Sequence, residues 1–206
     1  MFDKELAELD ELDFSSTSGL PDEARAAIYG RMRAQAQVVP ERLAGWIQTL
    51  DPTDSDQAFR LSDVYEALAP AAVALEAFFL AELNRLLSVC EAHPDSKPAF
   101  YALGALGFLQ DAPESFRRAA RDRLVLGLGS SSASVRRACV DLLGDHDVGR
   151  DAAARTAAQA ALRDGDWKVR ALAECTLSDA GLLPQGYRTP LIDRLRRKMG
   201  SWTNYV

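Results

Sequence analysis

The residues with the clearest chemical potential lie together at the predicted start of one helix. Asp164, Asp166, Trp167 and Arg170 bring two carboxylates, an indole and a guanidinium within one turn and its cap. Carboxylates and an aromatic ring are suited to holding a cationic ligand. Each residue also has an ordinary structural use, because an aspartate before a helix caps its amide groups and an arginine can bond to a neighbouring segment. We favour the structural interpretation and predict no catalytic residue in this cluster.

Other patterns that could support chemistry are weaker. The two histidines, His93 and His146, lie in polar loops, where Asp145, His146 and Asp147 could bind a metal ion only with further ligands from elsewhere. The sequence contains no glycine-rich phosphate loop and no GxSxG nucleophile turn. We therefore predict no metal site and no cofactor.

The cysteines and the first residues indicate where the protein works. Cys90, Cys139 and Cys175 are scattered and form no CxxC motif, which is typical of a reducing compartment. Residues 1–14, MFDKELAELDELDF, are acidic and lack the apolar run of a secretory signal or a membrane anchor. We expect a cytoplasmic protein with no membrane partner.

The net charge of −6 conceals an uneven distribution. Residues 1–111 contain 19 acidic and 8 basic residues, whereas residues 112–206 contain 11 acidic and 16 basic ones. An acidic half suits a basic partner, and an arginine-rich half suits an acidic partner such as a nucleic acid. Because aspartates are interleaved with the arginines, a solvated and partly paired surface is the favoured interpretation of the basic half.

A sequence repeat organises the C-terminal half. The segment SVRRACVDLLGD, which starts at Ser134, aligns without a gap with KVRALAECTLSD, which starts at Lys168, and this spacing is a 34-residue period. A degenerate third copy, FYALGALGFLQD, starts at Phe100. Each copy follows another segment with helical apolar spacing, and turn residues at 130–132 and 164–166 separate helices. Two helices of this length cannot bury their apolar sides alone, so neighbouring pairs are expected to stack.

The chain divides into four parts on these patterns. We predict an acidic arm and flexible linker at 1–20, a divergent helical N-terminal cap at 21–70, three helix pairs at 71–183, and a capping helix with its tail at 184–206. The helix predicted from about Asp56 to Leu68 ends before Pro70. The long apolar run that follows, residues 71–90, carries charges that mark it as a buried helix and not as a membrane span.

The stretch LRDGDWKVRALAECTL, residues 162–177, resembles a HEAT repeat of the short bacterial type. The resemblance implies an all-α fold, an α-solenoid of HEAT-like antiparallel helix pairs. It also implies that Asp164 and Arg170 belong to a ladder of side-chain contacts between successive repeats, with Ser130 in place of the aspartate one unit earlier. Proteins with this fold include adaptors, regulators, bilin lyases and DNA glycosylases, and the glycosylases hold a cationic lesion with aspartate, aromatic and arginine side chains.

In HEAT repeats the second helix of each pair lines the concave face, where partners usually bind. Counting by the period, we predict seven partner-binding residues on that face: Leu103, Leu106, Gln110, Arg137, Val140, Asp141 and Glu174. Leu106 and Val140 would then be apolar residues in an exposed groove, which is how a peptide site begins. Coverage of these residues by the tail or by the N-terminal arm is the equal alternative.

The function expected from these patterns is a non-enzymatic protein–protein interaction module, an adaptor or an inhibitor or immunity-type scaffold. It would bind its partner through the concave groove, and the acidic N-terminal half favours a basic protein. Nucleic-acid binding through the basic C-terminal half, with or without DNA glycosylase activity, is the alternative. Bilin lyase activity has no supporting residue, and the oligomeric state is left open.

Overall fold

The computed structural model describes residues 45–69, 74–107, 114–145 and 148–198, together with six helical positions between residues 23 and 34. These ranges contain helices and no strand, so the all-α prediction is confirmed. Eight of the helices have defined bounds: α1 (Ser55–Leu68), α2 (Glu76–Ala92), α3 (Lys97–Gly104), α4 (Glu114–Gly127), α5 (Ala133–Asp145), α6 (Ala152–Ala161), α7 (Trp167–Asp179) and α8 (Leu191–Lys198). No described helix is long and apolar enough to cross a membrane.

Local sequence explains where several helices begin. The side chains of Ser96, Asp151 and Asp166 accept hydrogen bonds from the first amides of α3, α6 and α7. Helices α5 and α7 start at Ala133 and Trp167, which are one period apart, and their last residues are separated by the same interval. The period seen in the sequence is therefore a period of helix bounds.

The helices pack in successive pairs. Helix α2 contacts α3, α4 contacts α5, and α6 contacts α7. The first members of these pairs also contact each other in turn, α2 with α4 and α4 with α6, while α3 contacts α5 and α5 contacts α7. Helix α5 is the most enclosed, because it also contacts α2 and α6.

One apolar core runs through the described helices, from Ile47 to Leu177. Its largest side chains are aromatic: the Phe79 ring on α2 lies 6.3 Å from the Tyr65 ring on α1 and 6.1 Å from the Phe116 ring on α4, edge to face. Farther along, α6 buries alanines, which allow the helices to approach closely. The aromatic part of the core thus lies among α1, α2 and α4, and α6 contributes its alanine-rich part.

A buried charge joins α1 to α2. Glu82 is 2% exposed, and its carboxylate accepts hydrogen bonds from the Tyr65 hydroxyl and from Arg85 Nε, the latter at 2.9 Å. Arg85 Nη1 also donates to the Leu50 carbonyl oxygen at 3.3 Å. Burial, with the charge of Glu82, raises the pKa of Tyr65 well above its usual value, so the hydroxyl stays a donor. This satisfied cluster fits the prediction of a buried, non-membrane helix.

Several predicted segments lie outside the described residues. They are the acidic arm and linker at 1–20, most of the cap between 21 and 44, and the tail at 199–206. The division of the chain into four parts therefore stays a prediction.

A close approach between α4 and α5 generates a test of the fold. A β-carbon at Gly127, on α4, would collide with Sγ of Cys139 on α5, and Cys139 is fully buried. We expect Gly127→Ala to lower the free energy of unfolding by about 1–3 kcal/mol through overpacking, measured by urea denaturation. The double variant Gly127→Ala/Cys139→Ala should lose less free energy of unfolding than the two single variants lose together. Removing the thiol opens the space that the added methyl group needs.

Gly104→Ala is the matched control, since a β-carbon at Gly104 meets no atom within 4 Å. Its effect should be neutral or slightly stabilising because alanine favours a helix. Equal losses in Gly127→Ala and Gly104→Ala would contradict the close approach of α4 and α5.

Candidate functional site

The cluster around Asp164 holds successive helix pairs together. Arg136, on α5, donates from Nε to Asp164 Oδ2 at 2.7 Å and from Nη2 to Asp164 Oδ1 at 2.9 Å. Its Nη1 donates to the carbonyl oxygens of Ser130 and Ser131 at 2.8 and 3.0 Å. The side chains of Arg136 and Asp164 are 17% and 12% exposed. One guanidinium therefore joins the turn before α5 to the turn before α7.

The same arrangement recurs one period later in the chain. Arg170 Nη1 donates to the carbonyl oxygens of Asp164 and Gly165 at 2.6 and 3.1 Å. Its Nε and Nη2 donate to the two carboxylate oxygens of Asp193, both at 2.8 Å. Asp193 belongs to α8 and is buried. Asp164 and Arg170 thus do not pair with each other through their side chains, and each pairs with a neighbouring unit instead.

Asp166 is engaged in a similar way. Its Oδ1 accepts hydrogen bonds from the amides of Lys168 and Val169 at 2.9 and 3.1 Å, which caps α7. Arg137 donates from Nε to Oδ1 at 3.1 Å and from Nη2 to Oδ2 at 2.8 Å. Both carboxylates of the 164–170 cluster are therefore held by guanidiniums and amides, an arrangement that stabilises the fold.

Three residues predicted to line a groove are in the core. Leu103, Leu106 and Val140 are 1%, 3% and 0% exposed, so the prediction that they form an exposed partner site is wrong. The reason is the number of neighbours: α3 packs against α1, α2 and α5, and α5 packs against helices on several sides. The outward stripe of each helix is narrower than the repeat pattern indicates.

The structure also locates two of the other residues that were predicted to bind a partner. Gln110 lies outside the described residues. Arg137 is engaged in the pair described above. Glu174 accepts hydrogen bonds from Thr189 Oγ1 at 2.7 Å and from Tyr187 Oη at 3.4 Å. Glu174 therefore fixes the segment between α7 and α8.

A groove of about 450 Å³ does lie between α5 and α7. Its lining includes Asp141 and Gly144 from α5, with Leu172, Cys175, Thr176 and Asp179 from α7. The two helices are in contact beside the groove, because a β-carbon at Gly144 would lie 3.5 Å from Thr176, whose Oγ1 donates to the Val140 carbonyl oxygen at 3.4 Å. Among the predicted partner residues that the structure describes, Asp141 is the one that lines this groove.

Asp141 sets the electrostatic character of the groove. Its side chain is exposed to water, but the walls of the groove remove part of its hydration, and this desolvation raises the pKa of the carboxyl. Asp179 brings a second carboxylate to the same space. The described lining contains no lysine and no arginine. The groove is therefore an acidic recess with the chemistry to receive a cationic group.

The prediction missed the groove residues Cys175 and Asp179 on α7, although the 34-residue period indicates both positions. One period after Asp141 comes Cys175, and one period after Asp145 comes Asp179. The predicted set instead contained Glu174, which is the equivalent of Val140. A step of one residue turns a helix by about 100°, so that choice pointed to the wrong side of α7.

The cysteines differ in environment. Burial raises the pKa of Cys90 and of Cys139 to about 12, so both thiols are poor nucleophiles. Cys175 is half-buried and lines the groove. No three histidine, cysteine, aspartate or glutamate residues converge as metal ligands in the part of the chain that the structure describes, which leaves out His146 and Asp147.

Comparison with protein-family models, curated proteins and solved structures finds no match for this chain.

The Arg136–Asp164 contact generates a pH-dependent prediction. Burial by itself would raise the pKa of Asp164, but hydrogen bonds from Arg136 and from the Asp166 amide outweigh it and lower the pKa below 3.8. Its stabilising contribution is therefore complete above that pH and is lost as the pH falls through the folded pKa. We expect Asp164→Asn to lower the free energy of unfolding by about 1–3 kcal/mol at neutral pH. Urea denaturation at decreasing pH should show the gap to wild type closing in acid.

Asp122→Asn, at an exposed aspartate on α4, is the control. It should change the free energy of unfolding by no more than about 0.5 kcal/mol. A gap between wild type and Asp164→Asn that stays constant as the pH falls would show that the carboxylate charge is not its source.

Proposed function

We propose that this protein is a non-enzymatic protein-binding module that receives a basic segment of a partner in the groove between α5 and α7. The observation that carries the proposal is the pair of carboxylates, Asp141 and Asp179, around a recess of about 450 Å³. A lysine or arginine side chain fits such a recess and would find both carboxylates there. Cys90 and Cys139 are buried thiols outside any disulfide, which fits a reducing location, and we place the activity in the cytoplasm.

The helix packing supports an α-solenoid of HEAT-like pairs as the scaffold. Helices α3, α5 and α7, the second members of their pairs, contact one another in order. A partner segment laid across such a row would contact several second helices at once, as in other repeat proteins. The acidic groove between two of these helices would then be one subsite of a longer surface.

Asp141 supports the proposal because its ionised form lowers the stability of the folded chain. A carboxyl whose folded pKa lies above its unfolded value, near 3.8, stabilises the fold fully below that value and less as the pH rises through the folded pKa. At neutral pH the folded chain therefore carries a charge that its surroundings disfavour. A cationic partner would relieve this penalty, which is a common property of binding residues.

The arginines of the C-terminal half do not favour the nucleic-acid alternative. Arg136, Arg137 and Arg170 each donate to both oxygens of a carboxylate. Arg117 and Arg121 form ion pairs with the same glutamate at the start of α4. Guanidiniums neutralised in this way would have to leave their partners to contact phosphates. DNA glycosylase chemistry in the 164–170 cluster meets the same obstacle, since its carboxylates are already engaged.

The groove hypothesis predicts the effect of a charge-neutral variant on partner capture. We expect the immobilised wild-type chain to retain a basic protein from a nuclease-treated native extract at low salt, and to lose it as salt is raised. The variant Asp141→Asn/Asp179→Asn should weaken the binding of that protein by about tenfold or more, since two charge-assisted hydrogen bonds are lost. Asp122→Asn, outside the groove, should bind as the wild type does.

Equal binding by the wild type and the groove variant would sink the proposal. A gel shift on duplex DNA at low salt tests the nucleic-acid alternative. Binding that falls steeply with salt would support the nucleic-acid alternative instead.

Stability measurements separate loss of binding from loss of folding. Because burial raises the pKa of Asp141, we expect Asp141→Asn to be at least as stable as the wild type at neutral pH. Any difference should vanish well below pH 3.8, where the aspartate is protonated in both the folded and the unfolded state. Urea denaturation at both pH values measures it, and a clear loss of stability at neutral pH would contradict the assigned role of Asp141.

A further inference from the structure

Helix α8 is turned with its apolar side away from the protein. Asp193 is 1% exposed and faces Arg170, whereas Leu191, Ile192 and Leu195 are 64%, 51% and 47% exposed. A helix that closes a fold normally buries its apolar side. Helix α8 does not follow this pattern at Leu191, Ile192 and Leu195.

The Arg170–Asp193 pair holds α8 in this orientation. Both carboxylate oxygens of Asp193 accept from Arg170, and the third guanidinium nitrogen is held by the carbonyl oxygens of Asp164 and Gly165. Turning α8 to bury its leucines would break the pair and leave the partly buried Arg170 guanidinium without its carboxylate, which is unfavourable. The apolar side therefore stays outward, where large exposed side chains of this kind are typical of a binding surface.

Charge narrows the choice of what covers this surface. The sequence of α8 contains Arg194, Arg196, Arg197 and Lys198, and its one acidic residue is already paired with Arg170. A matching occupant combines apolar side chains with negative charge. The tail at 199–206 contains no charged residue, so it does not match the basic residues of α8.

We propose that the chain's own N-terminal arm, residues 1–14, binds along the exposed apolar side of α8. The arm contains six acidic residues and one basic residue, and Phe2, Leu6 and Leu9 recur at the spacing of one side of a helix. It therefore offers both apolar side chains and negative charge, which together complement the surface of α8. This contact is separate from the groove and does not depend on the proposed function.

The connecting chain is long enough for this contact. Residues 15–44 separate the arm from the first continuous described segment. Thirty residues span about 45 Å even as a helix, and the helix row α1, α3, α5, α7 and α8 covers about 40 Å at the usual interaxial spacing. A tethered arm is also present at a high effective concentration.

The reactivity of a thiol placed on α8 tests the contact in the full chain. Leu195→Cys is treated with N-ethylmaleimide, and the modification at position 195 is read by peptide mass spectrometry, so the native Cys175 does not interfere. We expect the thiol introduced there to react about tenfold more slowly than one introduced by Leu126→Cys, at a leucine on α4 that is 74% exposed. Leu6→Ser/Leu9→Ser in the arm should restore fast reaction, whereas the matched arm variant Ala7→Ser should not.

The rate of thiol modification at position 195 either supports the contact between the arm and α8 or overturns it. Slow reaction that is lost with Leu6→Ser/Leu9→Ser, at every protein concentration, supports it. Fast reaction at position 195 with the arm unchanged overturns it. Protection that persists in Leu6→Ser/Leu9→Ser also overturns it, and so does protection that appears only at high protein concentration, because a second copy would then cover α8. Loss of protection in Trp202→Ser alone would assign the surface to the tail.

Discussion

The guanidinium of Arg136 determines how two successive helix pairs sit on each other. One of its nitrogens donates to the turn before α5, the helix that contains Arg136. The other two donate to the carboxylate of Asp164, in the turn before α7. The contact adds to the packing of α5 against α7, the two helices that enclose the groove containing Asp141. Arg170 makes the same contact one unit later, and its partner on α8 fixes which side of that helix faces outward. The groove lies between the helices that the first contact joins, and the exposed apolar surface belongs to the helix that the second contact holds.

Features that depend on local chemistry were predictable from the sequence. Helix α1 was expected from about residue 56 to 68 and runs from Ser55 to Leu68, since a polar turn precedes it and a proline follows it. The repeat predicted second helices at the positions of α5 and α7, and Asp166 caps α7 as its position before the helix indicated. Caps, turns and apolar periodicity act within a few residues, so one sequence is enough to see them.

The candidate site was harder to predict because it depends on what surrounds each helix. Val140 and Asp141 are adjacent in sequence, yet one is fully buried and the other lines the groove. Only the positions of the helices around α5 separate them, and a repeat pattern does not contain those positions. The orientation of α8 shows the same limit, because the ion pair between Arg170 and the distant Asp193 outweighs the preference of its leucines for the interior.

Asp164 and Asp193 accept equivalent hydrogen bonds from successive arginines. This equivalence affects how such a chain could gain or lose whole repeats during evolution. The stretch from Arg137 to Arg170 is one full period, so it begins and ends at matching points of the structure. Duplicating or deleting such a stretch would leave each arginine facing an aspartate, with α8 still providing the last one. Growth and shortening by whole units would then need no new contact, and each added unit would bring another groove of its own.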